Sequence, residues 1–230
     1  MADVPLGEWP AAAGAARHAA PPLGAHHDAR VESSRTPLPT VGPLWPAVAV
    51  FLATVAQLLL GTVAGDLPQF AGKGFGARLV GYPLLMLVVP LAWLVRSHRQ
   101  GTHGPPPGAA FTLVMAPFLV DVTGNTLDLY DRVAWWDDAN HLVNWFLLNA
   151  GLGLLLRRRA TGWVLGLLVA GLGALLAVGW ELGEWYTFIR HGTELTTAYE
   201  DTLGDEALGT LGAALAGALL AVRSPPRQSG

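Results

Sequence analysis

Six apolar runs dominate the chain, at roughly 44–65, 77–96, 108–128, 139–157, 161–185 and 205–222. Each approaches the about 20 residues that an α-helix needs to cross about 30 Å of hydrocarbon. The pattern predicts an all-α, polytopic membrane bundle of about six transmembrane helices over residues 43–222. The sixth run, "LGTLGAALAGALLAV", is rich in Gly and Ala, and Gly166, Gly171, Gly173 and Gly179 give the fifth a similar character. Small residues let helix backbones approach closely in lipid.

Residues 1–42 lack a sustained apolar period and are rich in Ala, Pro, Gly and His. Such a stretch buries too little apolar surface to order itself, and without a hydrophobic h-region it does not read as a secretory signal peptide. It is expected to be a disordered cytoplasmic tail, with residues 223–230 a second, shorter one.

Composition reinforces the membrane assignment. Only 13% of the 230 residues are charged, against about 25% in a soluble domain, and the mean hydropathy is +0.39. The absence of cysteine excludes disulfides, thiolate metal sites and a cysteine nucleophile.

Charge placement adds orientation. Ten of the 14 basic residues (Arg17, Arg30, Arg35, Arg96, Arg99, Arg157, Arg158, Arg159, Arg223 and Arg227) fall on one predicted side; Lys73, Arg78, Arg132 and Arg190 fall on the other. The positive side is expected to be cytoplasmic, which puts both termini inside, in a cell inner membrane. Trp45, Trp93 and Trp163 mark the inner ends, and Trp135, Trp136, Trp180 and Trp185 the outer ends. Of the 17 acids, 13 belong to the outer half or outer loops. They outnumber the bases there, so cation binding or carboxylate protonation is expected.

Several of these acids sit at the ends of apolar runs, where an ionisable group is costly and is by default a functional candidate. In the third run Asp121 lies about 20 Å along the helix from Gly108 at about 1.5 Å per residue, inside the hydrocarbon. Asp121, Asn125 and Asp128 follow i, i+4, i+7 and should share a face. The fourth run opens "WWDDANHLVNW", where Asp137 and Asp138 stand four and three residues before His141 and either can reach the imidazole. A carboxylate-oriented histidine suits metal ligation or proton transfer; one of the two acids is also expected to cap the helix. Asn144 continues the face inward. Glu181 and Glu184 close the fifth run three residues apart, a pair that attracts a hard cation or shares a proton. Asp201 and Asp205 precede the sixth run four apart, with helix-dipole and capping chemistry as the alternative.

This order of motifs resembles the VanZ-like membrane proteins and, more closely, the YjdF-like group of bacterial integral membrane proteins. The VanZ-like pattern is roughly D-K-x-x-H, E-x-x-Q and D-x-x-x-N-x-x-G. Asp137 and His141 match the first motif with Asp138 in the lysine position; Glu181 matches the second with Glu184 for glutamine; Asp205 and Gly212 match the third with Gly209 for asparagine. The likeness covers about residues 108–220. It implies a bacterial membrane protein, without a settled chemistry to transfer.

The leading expectation is therefore an outward-facing polar site that binds a cation. His141, Asp137, Glu181, Glu184 and Asp205 are the metal candidates, and Asp121 and His141 the catalytic ones. Asn125, Asp128, Asp138, Asn144 and Asp201 complete the polar set. Carboxylates with one histidine suit Mg, Mn, Fe or Zn, and the substrate would be a lipid or cell-envelope intermediate. The alternatives are a proton- or cation-coupled transporter and a non-catalytic membrane assembly protein. No Walker loop, G-x-S-x-G or H-E-x-x-H is present. The basic residues are scattered flanks, which argues against nucleic acid as a partner.

Overall fold

A computed structural model describes residues 42–101, 104–187, 189–191 and 196–224. The tail expected over 1–42 lies outside the described residues but for Gly42, and that over 223–230 but for Arg223 and Ser224. The described chain is helical: α1 (Trp45–Val63), α2 (Phe75–Arg99), α3 (Gly108–Thr126), the single turn α4 (Leu129–Arg132), α5 (Trp136–Leu156), α6 (Gly162–Thr187) and α7 (Ala198–Arg223), with a short 3-10 turn at Ile189–His191. All but α4 and that turn are long and apolar enough to cross a membrane.

The six long helices alternate in direction. Helix α7 packs most extensively, against α6 and α5; α3 packs on α5 and α1, and α2 lies on α1 and α3. Leucines and valines such as Leu52, Val80, Leu84, Leu167, Leu175 and Leu211 stay exposed around the outside. Such a surface is untenable in water and ordinary against lipid. Trp45 and Trp163 are exposed at one end of the bundle, Trp135 and Trp185 at the other, where amphipathic rings meet both membrane interfaces.

The two Gly-rich helices pack as their composition suggests, on one rotational phase. The buried residues of α7 include Asp205, Gly209, Gly212, Ala213, Ala216, Gly217 and Leu220, a single face at helical spacing. Those of α6 include Leu165, Val169, Gly173, Ala177 and Glu181, a stripe with a four-residue step. Gly166 and Gly217 meet backbone to backbone: a Cβ on Gly166 would lie 3.1 Å from the Gly217 carbonyl oxygen. Gly171 and Gly179, by contrast, face open space.

Two boundaries differ from the sequence expectation, and both move site residues. Helix α7 begins at Ala198, seven residues before the apolar run, so Asp201 and Asp205 stand inside it one turn apart. Its first turns are too polar for a hydropathy pattern, yet a helix persists there because its backbone bonds are internal. Helix α3 ends at Thr126, and Asp128 takes a left-handed conformation (φ 62°) ahead of α4. Asp128 therefore leaves the face it was expected to share with Asp121 and Asn125. Nor does either acid of "WWDD" cap α5: that helix starts after Trp135 with no side-chain cap.

Candidate functional site

Five of the six long helices, α2, α3, α5, α6 and α7, bring one end each to a cavity of about 370 Å³. Helix α5 contributes Asp137, His141, Asn144 and Leu148, at i, i+4, i+7 and i+11. Helix α3 adds Pro117, Phe118, Asp121 and Asn125, α6 adds Trp180 and Glu184, and α7 adds Asp201 and Asp205. Arg78 and Tyr82 reach in from the first turns of α2, and Tyr130 from α4.

His141 is the centre of one cluster, with its side chain 11% exposed. Its Nδ1 lies 3.0 Å from an Asp205 oxygen and 3.4 Å from an Asp137 oxygen, and 3.2 Å from the Asp137 carbonyl. On the other edge of the ring, Nε2 is 3.6 Å from a Glu181 oxygen. Glu184 completes that side: one donor atom each from His141, Glu181 and Glu184 lie within 4.8 Å of one another. Glu181 is buried because it ends the α6 stripe facing α7, and Asp205 because it begins the small-residue face of α7. Of the two aspartates before His141, the helix rotation selects Asp137, four residues back; Asp138 is exposed and outside the cavity.

Asp121 is the centre of a second cluster. Tyr82 donates its hydroxyl to Oδ2 at 2.5 Å and Tyr130 to Oδ1 at 2.7 Å. Asn125 donates to Oδ1 at 3.3 Å, and Arg78 Nη1 to Oδ2 at 3.3 Å. Four donors fill the acceptor capacity of a carboxylate. The network continues away from Asp121, because Asn140 donates to the Tyr130 hydroxyl and Asn144 to Asn140 Oδ1 at 2.6 Å. Burial and the neighbouring Asp121 carboxylate push the Tyr130 phenol well above its ordinary pKa, so it stays a donor. Gly124 makes room for this: a Cβ there would collide with the Trp136 indole nitrogen and lie 2.9 Å from the Tyr130 ring.

Asp128 joins neither cluster. It pairs with Lys73, which also reaches Asp131 at 2.7 Å, tying the α1–α2 loop to the segment around α4. Burial alone would lower the Lys73 pKa, but its bonds to the two aspartates outweigh that and raise it. The hydrogen bond from Lys73 holds Asp128 below the ordinary carboxylate value.

The structure thus brings together Asp121, Asn125, Asp137, His141, Asn144, Glu181, Glu184, Asp201 and Asp205, and leaves out Asp128 and Asp138. Sequence reasoning missed Tyr82, Tyr130 and Asn140, and weighed Arg78 and Lys73 only as outer charges. An arginine in the first turn of one apolar helix, set against an acid in the last turns of its antiparallel neighbour, was the available signal for Arg78.

A family model described as "Predicted membrane protein (DUF2238)" matches residues 51–225. The chain belongs to this family. The match spans all the helices from the first turns of α1 onward and every residue of the cavity. No curated protein and no solved structure matches this DUF2238 chain.

Proposed function

We propose that the cavity holds a divalent cation on His141 Nε2, Glu181 and Glu184, and acts on a lipid or cell-envelope intermediate. The observation that carries this reading is the asymmetry of His141. Its Nδ1 edge is within hydrogen-bonding reach of Asp205 and Asp137, whereas the 3.6 Å from Nε2 to Glu181 is too long for a hydrogen bond. It suits two ligands of one ion, since donors bound tetrahedrally at about 2.1 Å sit about 3.4 Å apart. A carboxylate on the far nitrogen is the usual partner of a metal-bound histidine, fixing its tautomer and raising its basicity. Asp205 and Asp137 are then orienting groups and not ligands. Two carboxylates and one imidazole suit Mg, Mn, Fe or Zn. An ion in such a site can polarise a carbonyl or phosphoryl oxygen, or lower the pKa of a bound water.

Asp121, with four donors already in place, is read here as the group that positions Tyr82, Tyr130 and Arg78. The arginine-rich end of the bundle is the cytoplasmic one in this reading, so the cavity opens to the extracytoplasmic face of a bacterial inner membrane. The resemblance of the motif order to that of YjdF-like and VanZ-like proteins supports His141, Glu181 and Asp205 as members of one site. A coupled transporter would need polar stations through the opposite half; Asn149, fully buried with its Oδ1 unpartnered, is the observation in its favour.

The test is metal content of the detergent-purified protein by mass spectrometry, beside His141→Ala and Glu181→Ala. Stoichiometric metal in the wild type, lost from folded variants, is the expected result. Metal at background after loading with each of the four ions would overturn the ion site.

A further inference from the structure

Arg78 is the cavity's guanidinium, and it is held without being used up. Among the described residues, only its Nη1 makes a hydrogen bond, to Asp121 at 3.3 Å. That is long for a charge-assisted bond, which is ordinarily about 2.7–2.9 Å. The short bonds to Asp121 come from Tyr82 and Tyr130 instead, so two phenols already stabilise that carboxylate. The guanidinium carbon sits 5.9 Å from the Tyr82 ring centre, and the side chain is 21% exposed, lining the cavity. A planar fork oriented by a ring and a carboxylate, with donors unspent toward a cavity, fits an oxyanion.

We infer that Arg78 anchors the terminal phosphomonoester of an amphiphile whose apolar part lies along Pro117, Phe118, Leu148 and Trp180. The inference rests on the proposed ion site in one respect: a phosphate has enough oxygens to face the guanidinium and the ion together. Four acids surround His141, so a bare anion is repelled on that side. Beside Arg78 it is attracted, and a cation on Glu181 and Glu184 strengthens its hold. A cavity of about 370 Å³ admits a headgroup; the chains of a lipid would have to remain in the bilayer.

Full-length protein in detergent, with and without manganese, is titrated with dioctanoyl phosphatidic acid, dioctanoyl phosphatidylcholine and inorganic phosphate. Phosphatidic acid should bind at least about tenfold tighter than the other two, and lose about tenfold in Arg78→Gln but nothing in Arg99→Gln at the opposite end. If Arg78→Gln fails to fold, Arg78→Lys, which keeps the charge and loses the planar fork, is the second variant and should also bind phosphatidic acid several-fold more weakly than wild type. Equal binding of phosphatidylcholine, or wild-type affinity in folded Arg78→Gln, would overturn the anchor. Equal binding of inorganic phosphate would overturn the amphiphile. Manganese bound without phosphatidic acid sinks this inference alone. Arg78-dependent binding without any bound manganese sustains the anchor and removes the ion.

Discussion

Replacing Asp121 by alanine tests the second cluster most directly. The carboxylate accepts from Tyr82, Tyr130, Asn125 and Arg78, and its side chain is 17% exposed. Removing one partner of a buried ion pair costs about 3–5 kcal/mol, because the other charge stays behind. Each buried donor left unpaired adds about 1–3 kcal/mol, but the cavity can admit water to Arg78 and both phenols. The lower end of the ion-pair range, about 3 kcal/mol, is therefore expected. Reversible unfolding in mixed micelles, followed by circular dichroism against the mole fraction of denaturing detergent, gives the number. Arg78→Met should recover part of the loss when combined with Asp121→Ala, with a coupling energy of about 1–3 kcal/mol. A loss below about 0.5 kcal/mol, the ordinary range for a surface substitution, would refute the reasoning, as would strictly additive variants.

Other outcomes follow from the same geometry. Asp205→Asn should weaken metal affinity by about 10–100-fold without abolishing it, as loss of an orienting partner does; titration of a competing chelator measures this, and complete loss would make Asp205 a ligand. Asp138→Asn should leave both stability and metal content unchanged, since Asp138 is exposed and outside the cavity. The Lys73–Asp128 pair stabilises between two limits of pH. Its contribution is lost as pH falls through the lowered Asp128 value, and again as pH rises through the raised Lys73 value. Thermal midpoints of wild type and Lys73→Met should therefore differ by a constant amount from pH 5 to 9 and converge below about 4; convergence at neutral pH would contradict the pairing.

The membrane-spanning helices were legible because their lengths are set by the bilayer, and five of the six apolar runs fall within a few residues of the observed helices. What composition leaves open is rotation. Gly166 and Gly173 pack while Gly171 and Gly179 do not, a distinction carried by helical phase and invisible to a count of small residues. The same holds for Asp137 against Asp138. His141, Glu181, Glu184 and Asp205 were legible as costly groups beside hydrocarbon. Their phenolic and guanidinium neighbours were not, because Tyr82, Tyr130 and Arg78 are unremarkable near an interface until the helices are set side by side. Asp128 was misplaced for a local reason, the end of α3 two residues before it.

One consequence concerns where the spacing of the ion-site donors is fixed. Glu181 and Asp205, on α6 and α7, flank opposite edges of a single imidazole. The two helices touch backbone to backbone at Gly166 and Gly217, 12 residues along α7 from Asp205, or about 18 Å at 1.5 Å per residue. The same close approach continues toward the cage, where a Cβ on Gly173 would collide with Ala213 and one on Gly209 would lie 3.2 Å from the Ala177 Cβ, so the gap between the two arms is held by small residues along the whole seam. A bulkier residue at Gly217 must spread the arms, and its effect should register as a changed preference among ions of different radius.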